Sequence, residues 1–141
     1  MDKEFIPYEQ ALALKELGFD QPCFGWYQDN TLRLDINANQ SIKFHEHLGR
    51  FKGCIIAPLY QQAFRWFREK HNLIGLVDGG YDNSKNIFTY VIWNDFRDDI
   101  FDDYYSTYEE AELACLKKLI ELIKNKNNET NSSRMVGRTI C

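Results

Sequence analysis

Apolar and polar positions along this chain repeat with two different periods, and each change of period marks an element. Behind Pro7, which pre-sets φ for a first turn, Ala11, Leu12, Leu14 and Leu17 recur at helical spacing. Gly18 supplies a left-handed stop, with Phe19 packing back behind it, so a helix is predicted over about residues 7–17. Cys23–Tyr27 and Leu32–Ile36 flank Gln28-Asp29-Asn30-Thr31 and alternate in the second arm, which predicts a β-hairpin; Ser41–Phe44 reads as a short strand. Pro58 opens a second helical run, Leu59–Lys70, with Tyr60, Ala63, Phe64 and Phe67 on one face, Gln62, Arg65, Glu69 and a candidate Trp66 elsewhere, and Asn72 as its stop. Leu73–Val77 and Ile87–Trp93 form an antiparallel pair around Asp78–Lys85, where Gly79 and Gly80 are expected to supply positive φ.

The last helix is written with its own start. Thr107 can accept from the amide three residues on while Glu110 reaches back to the Thr107 amide, a capping box. Glu109, Glu110 and Glu112 near the start and Lys117, Lys118 and Lys124 toward the end suit the macrodipole. Together the elements predict an α+β fold: an antiparallel sheet covered on one face by two or three helices, in the order αββ(β)αββα. Residues 1–124 make one domain. From Asn125 the chain turns polar and loses its apolar period, so 125–141 is expected to be a mobile tail.

Composition changes this picture little. A 44% hydrophobic fraction with 21 aromatics in 141 residues is enough for a core. No apolar stretch approaches the roughly 20 residues that span a bilayer, and the opening residues lack a signal-peptide core, which predicts no membrane partner and a cytoplasmic location. Cys23, Cys54, Cys115 and Cys141 are widely spaced and read as reduced thiols, with Cys115 a small core residue. Charge is uneven beneath the net value of −4: the middle of the chain is basic, and Asp95, Asp98, Asp99, Asp102 and Asp103 make a later loop acidic.

Three segments carry a resemblance. Ala57–Lys70 (APLYQQAFRWFREK), Tyr108–Leu116 (YEEAELACL) and Pro7–Phe19 resemble short uncharacterised proteins of Bacteroidota-type bacteria and their phages, over most of residues 5–124. The resemblance implies a phage or mobile-element accessory protein and brings no activity, ligand or catalytic residue with it.

Candidate chemistry is sparse. His45-Glu46-His47 offers two imidazoles on one side of an extended segment, which is short of a metal site unless His71 and Cys54 converge on it. The acidic loop lacks the spacing of a calcium loop, no signature surrounds Cys23 or Cys54, and no phosphate loop or hydrolase motif occurs. No cofactor is expected. The most suggestive group is Arg50, Lys52, Tyr60, Arg65, Trp66 and Arg68 around a helix start, since arginines bind phosphate bidentately and an exposed aromatic stacks a base. A pI near 5.4 argues against general DNA binding. Two readings follow: a small non-enzymatic binding or interaction module with a protein partner or a second copy, or a nucleotide-handling protein, either a sequestering pocket for an anionic small molecule or a phosphodiester-acting enzyme, built on the basic middle.

Overall fold

The computed structural model describes residues 2–34, 53–94, 100–101 and 103–136. Among them the chain runs through helix α1 (Tyr8–Glu16), strands β1 (Gly25–Gln28), β2 (Thr31–Leu34) and β3 (Ile55–Ala57), helix α2 (Tyr60–His71), strands β4 (Ile74–Asp82), β5 (Lys85–Trp93) and β6 (Ile100–Phe101), and helix α3 (Tyr108–Val136). The protein is α+β. Its strands form two antiparallel three-stranded sheets, β2-β1-β3 and β4-β5-β6, where the sequence predicts one. The division follows from β3, which pairs back on β1 before α2 intervenes. Sequence reading missed β3, and the strand expected over Ser41–Phe44 lies outside the described residues.

Local signals set the element ends. The Gly18 N–H reaches the Lys15 carbonyl at 3.1 Å and the Phe19 N–H the Leu14 carbonyl at 2.9 Å, with Gly18 at φ 91°, a Schellman stop for α1. Asn72 ends α2 in the left-handed region at φ 54°. Pro58 stands one residue further out than expected: Leu59 is the N-cap of α2, and its N–H donates to Gln62 Oε1 at 3.0 Å. At α3 the Glu110 N–H donates to Thr107 Oγ1 at 3.2 Å as expected, but the Glu110 carboxylate accepts from Ser106 and not from Thr107.

Both hairpins turn on two residues of positive φ, as a type I′ turn requires: Asp29 and Asn30 in the first, Asn83 and Ser84 in the second. The second turn is shorter than the sequence suggests. Gly79 and Gly80 do not turn; they lie inside β4, paired with Phe88 and Ile87.

α3 lies across β4 and β5 and also touches α1 and α2, while α1 packs on β3. Ile6, Leu14, Phe67, Tyr90, Ile92, Leu116 and Leu119 are fully buried between these layers. Leu76 and Trp93 stand half-exposed on the sheet face turned away from buried Tyr90 and Ile92. α3 does not stop near Lys124; it continues to Val136 with Thr130 donating to the Lys126 carbonyl at 3.0 Å, although Lys124 to Met135 are all exposed. No glycine or proline interrupts Asn125–Val136, so a helix already nucleated upstream propagates through polar residues. Residues 137–141, the rest of the expected tail with Cys141, lie outside the described residues.

Candidate functional site

The first residues, the base of the first hairpin and the starts of α2 and α3 meet around an apolar concavity of about 950 Å³. Its position is fixed by backbone. Phe5 and Leu59 form an antiparallel bridge, the Ile6 N–H donates to the Pro58 carbonyl at 3.0 Å, and the Tyr27 hydroxyl donates to the Ile6 carbonyl at 2.7 Å. These ties hold the N-terminal segment against β1 and the start of α2. Gly25 makes room for the wall: a Cβ there would lie 2.8 Å from Phe5 Cε1 and 3.3 Å from Leu34 Cδ2, so any side chain would displace the ring.

Phe5, Leu34, Leu59 and Tyr60 wall the concavity, and Phe24 stands over it 56% exposed. Gln61, with Tyr108, Glu109 and Glu112 from the first turns of α3 and Lys3 and Glu4 from the N-terminal segment, completes the lining. A helix N-terminus tolerates Glu109 through its dipole. Glu112 is less comfortable. Its half-buried carboxyl is held above the usual carboxylate range by desolvation and then by the nearby Glu4 and Glu109 charges, and it has no hydrogen-bond or ion-pair partner among the described residues. Lys3 lies 3.8 Å from Glu109, an exposed pair that contributes little. Burial pushes the Tyr60 hydroxyl up to about 12, with Glu112 and Tyr27 adding to it, and raises Tyr108, again mainly by desolvation.

Of the group expected from sequence, Tyr60, Arg65, Trp66 and Arg68 lie among the described residues. Tyr60 lines the concavity, but Arg65 and Arg68 lie exposed further along α2, and neither has an ion-pair partner among the described residues. Arg65 borders a separate hollow of about 230 Å³ with Gln21, Pro22, Gln62, Trp66 and Glu69. Trp66 is core: it is 4% exposed and meets Phe19, Phe67 and His71 edge-on at centroid distances of 5.5, 5.1 and 4.7 Å. A ring so enclosed has no face for a base. Arg50 and Lys52 lie outside the described residues, as do His45, Glu46, His47 and, Asp103 apart, the acidic loop.

Cys23, Cys54 and Cys115 are free and buried, and burial pushes the thiols of Cys23 and Cys115 up to about 12, for Cys115 with a contribution from Glu112. Neither supplies a thiolate nucleophile at neutral pH. Among the described residues no group of three or more His, Cys, Asp or Glu is placed to hold a metal, and no helix is long and apolar enough to cross a membrane.

Sequence reasoning missed Phe5, Phe24, Leu34, Tyr108, Glu4, Glu109 and Glu112 as one site. One signal was available. Cys23-Phe24-Gly25 sets one large ring between two small residues, and the structure buries Cys23 and Gly25 while Phe24 stays exposed in the lining of the concavity.

His71 closes α2 with its Nε2 buried and without a hydrogen-bond partner. Desolvation, followed by the Lys126 and Lys70 charges, lowers its pKa below the ordinary 6.5. The unfolded chain therefore takes up a proton before the folded one does, and stability should fall as pH drops through about 6.5. Glu112, with its raised pKa, acts in the opposite sense, so the wild type must be compared with a variant. Denaturant melts at pH 7.5 and 5.5 should show a smaller loss in His71→Phe than in wild type; equal losses would assign the slope to other groups.

Against known proteins the chain matches no family model, no curated protein and no solved structure.

Proposed function

We propose that this protein is a small non-enzymatic binding module and that the concavity between the N-terminal segment, the first hairpin and the starts of α2 and α3 is its ligand site. The observation that carries the reading is Phe24: a phenylalanine left 56% exposed over an apolar concavity of about 950 Å³, the size of a small-molecule site. The lining combines apolar walls with carboxylates and phenols and, among the described residues, brings no thiol or imidazole into reach. That is recognition chemistry more than reaction chemistry. The resemblance to phage and bacterial proteins suggests a setting, an accessory protein in the cytoplasm, and no ligand. A protein partner or second copy belongs to the same reading, with half-exposed Leu76 and Trp93 as a second surface. The nucleotide-handling alternative loses support, because Trp66 is core and neither Arg65 nor Arg68 is among the residues lining the concavity with Tyr60.

Amide-resolved NMR titration with a neutral apolar probe, benzyl alcohol, tests the site. Shifts should concentrate at residues 3–5, 24, 34, 59–61 and 108–112 and should shrink in Phe24→Asp, whose exposed position leaves the fold intact. The absence of localised shifts up to about 10 mM probe would overturn the proposal.

A further inference from the structure

From the same concavity we infer the chemical class of its ligand: a small organic cation, a protonated amine carried on an aromatic or aliphatic body. This inference rests on the binding-site reading above.

The concavity combines lining residues of two chemistries. Phe5, Phe24, Leu34 and Leu59 offer an apolar wall to the body of a ligand. Beside it, Glu4, Glu109 and Glu112 bring three carboxylates into the lining, with Lys3 as the single lining cation among the described residues, and that lysine is spread into solvent beside Glu109. Structural reasons account for some of this charge, since a glutamate in the first turn of α3 is favoured by the helix dipole. They do not account for Glu112. It stands one turn further in, half-buried, beside two like charges and with no hydrogen-bond or ion-pair partner among the described residues. A carboxylate kept there at a cost to folding is the arrangement expected where an opposite charge arrives with the ligand.

The rings add to the preference. Tyr108, 47% exposed, lines the site with the carboxylates while Tyr60 is largely buried beside them, and the face of an accessible phenol attracts a cation within about 6 Å by its quadrupole. Both hydroxyls are held protonated, so neither ring brings a competing anion or loses its donor at neutral pH. An anion would meet three carboxylates against one solvent-exposed lysine, which makes the site selective by repulsion as well as by attraction.

Calorimetric titration of three probes with one body separates the possibilities: 4-phenylbutylamine, 4-phenylbutan-1-ol and 4-phenylbutyrate. The amine should bind at least about tenfold more tightly than the alcohol, the carboxylate more weakly than either, and added salt should weaken the amine alone. Glu112→Gln, which keeps the side-chain volume, should reduce the amine's affinity about tenfold and leave the alcohol's unchanged, and Glu4→Gln should act in the same direction. Equal binding of amine and alcohol, or preference for the carboxylate, would overturn the cationic class while leaving the apolar site standing. If none of the three binds up to about 10 mM, both the class and the site fall.

Discussion

Trp66→Ala should lower stability by about 3–5 kcal/mol, while Arg65→Ala, one residue earlier on the same helix, should stay within about 0.5 kcal/mol of wild type. The contrast follows from burial. Trp66 is 4% exposed and packs among Phe19, Phe67 and His71, so truncation removes an indole from the centre of three rings and leaves a cavity that the surrounding helices cannot collapse to fill. Arg65 has its guanidinium in water. Guanidinium denaturation of the three proteins measures both numbers. A Trp66→Ala variant within about 1 kcal/mol of wild type would mean that the indole is not enclosed, and would restore it as a stacking platform beside Arg65.

Gly75→Ala is expected to destabilise by about 1–3 kcal/mol through overpacking, although alanine costs less backbone entropy than glycine in a strand. A Cβ at this position would stand 2.8 Å from Cys115 Sγ and 3.0 Å from Leu119 Cδ1, both on the fully buried face of α3. Glycine here sets how closely α3 lies on β4, and through that contact how firmly the start of α3, with Glu109 and Glu112, is held. The obstacle is chemical and specific, so it can be removed. In a Cys115→Ala background the same Gly75→Ala change should cost less, by a coupling of roughly 0.5–2 kcal/mol, with Leu119 preventing full relief. Strict additivity of the two changes would show that the sulfur is not what limits the approach.

What could be read from the sequence is what is decided locally. Gly18, Asn72 and the Thr107–Glu110 pair act within one turn of their own position, and each ends or starts its helix within a residue or so of the expected place. Phe64 and Trp66 show where local reading fails. Each is a large aromatic at a plausible spacing, and only the packing of Phe19 and His71 against α2 decides that Trp66 is the more deeply buried. Gly79 and Gly80 misled for a similar reason: they permit a turn, but the register of β4 on β5 places the turn at Asn83 and Ser84. The long end of α3 was invisible because nothing there is apolar, and a helix needs no apolar period to continue once begun.

The candidate site was harder still. Its lining comes from residues 3–5, 24, 34, 59–61 and 108–112, five stretches of chain with no shared motif. Charge clustering along the sequence pointed to the basic residues of α2, whereas clustering in space belongs to glutamates on the N-terminal turn and on α3. Glu4 and Glu112 become neighbours only through the bridge between Phe5 and Leu59 and the packing of α3 on the rest of the fold.

The two sheets also differ in what the chain must close to make them. β4 and β5 are nine-residue strands joined by two residues, so their ladder grows from Asn83-Ser84 by successive neighbouring steps, each with a small loop-closure entropy. β1 pairs with β2 just as locally, yet its other edge is filled by β3, a strand synthesised only after residue 53. Hairpin zipping takes microseconds, and the wider closure is slower because it must find a distant segment. In kinetic terms the molecule carries one self-contained arm and one deferred sheet, and the walls of the concavity, Phe5, Leu34 and Leu59 among them, come together only with the deferred half.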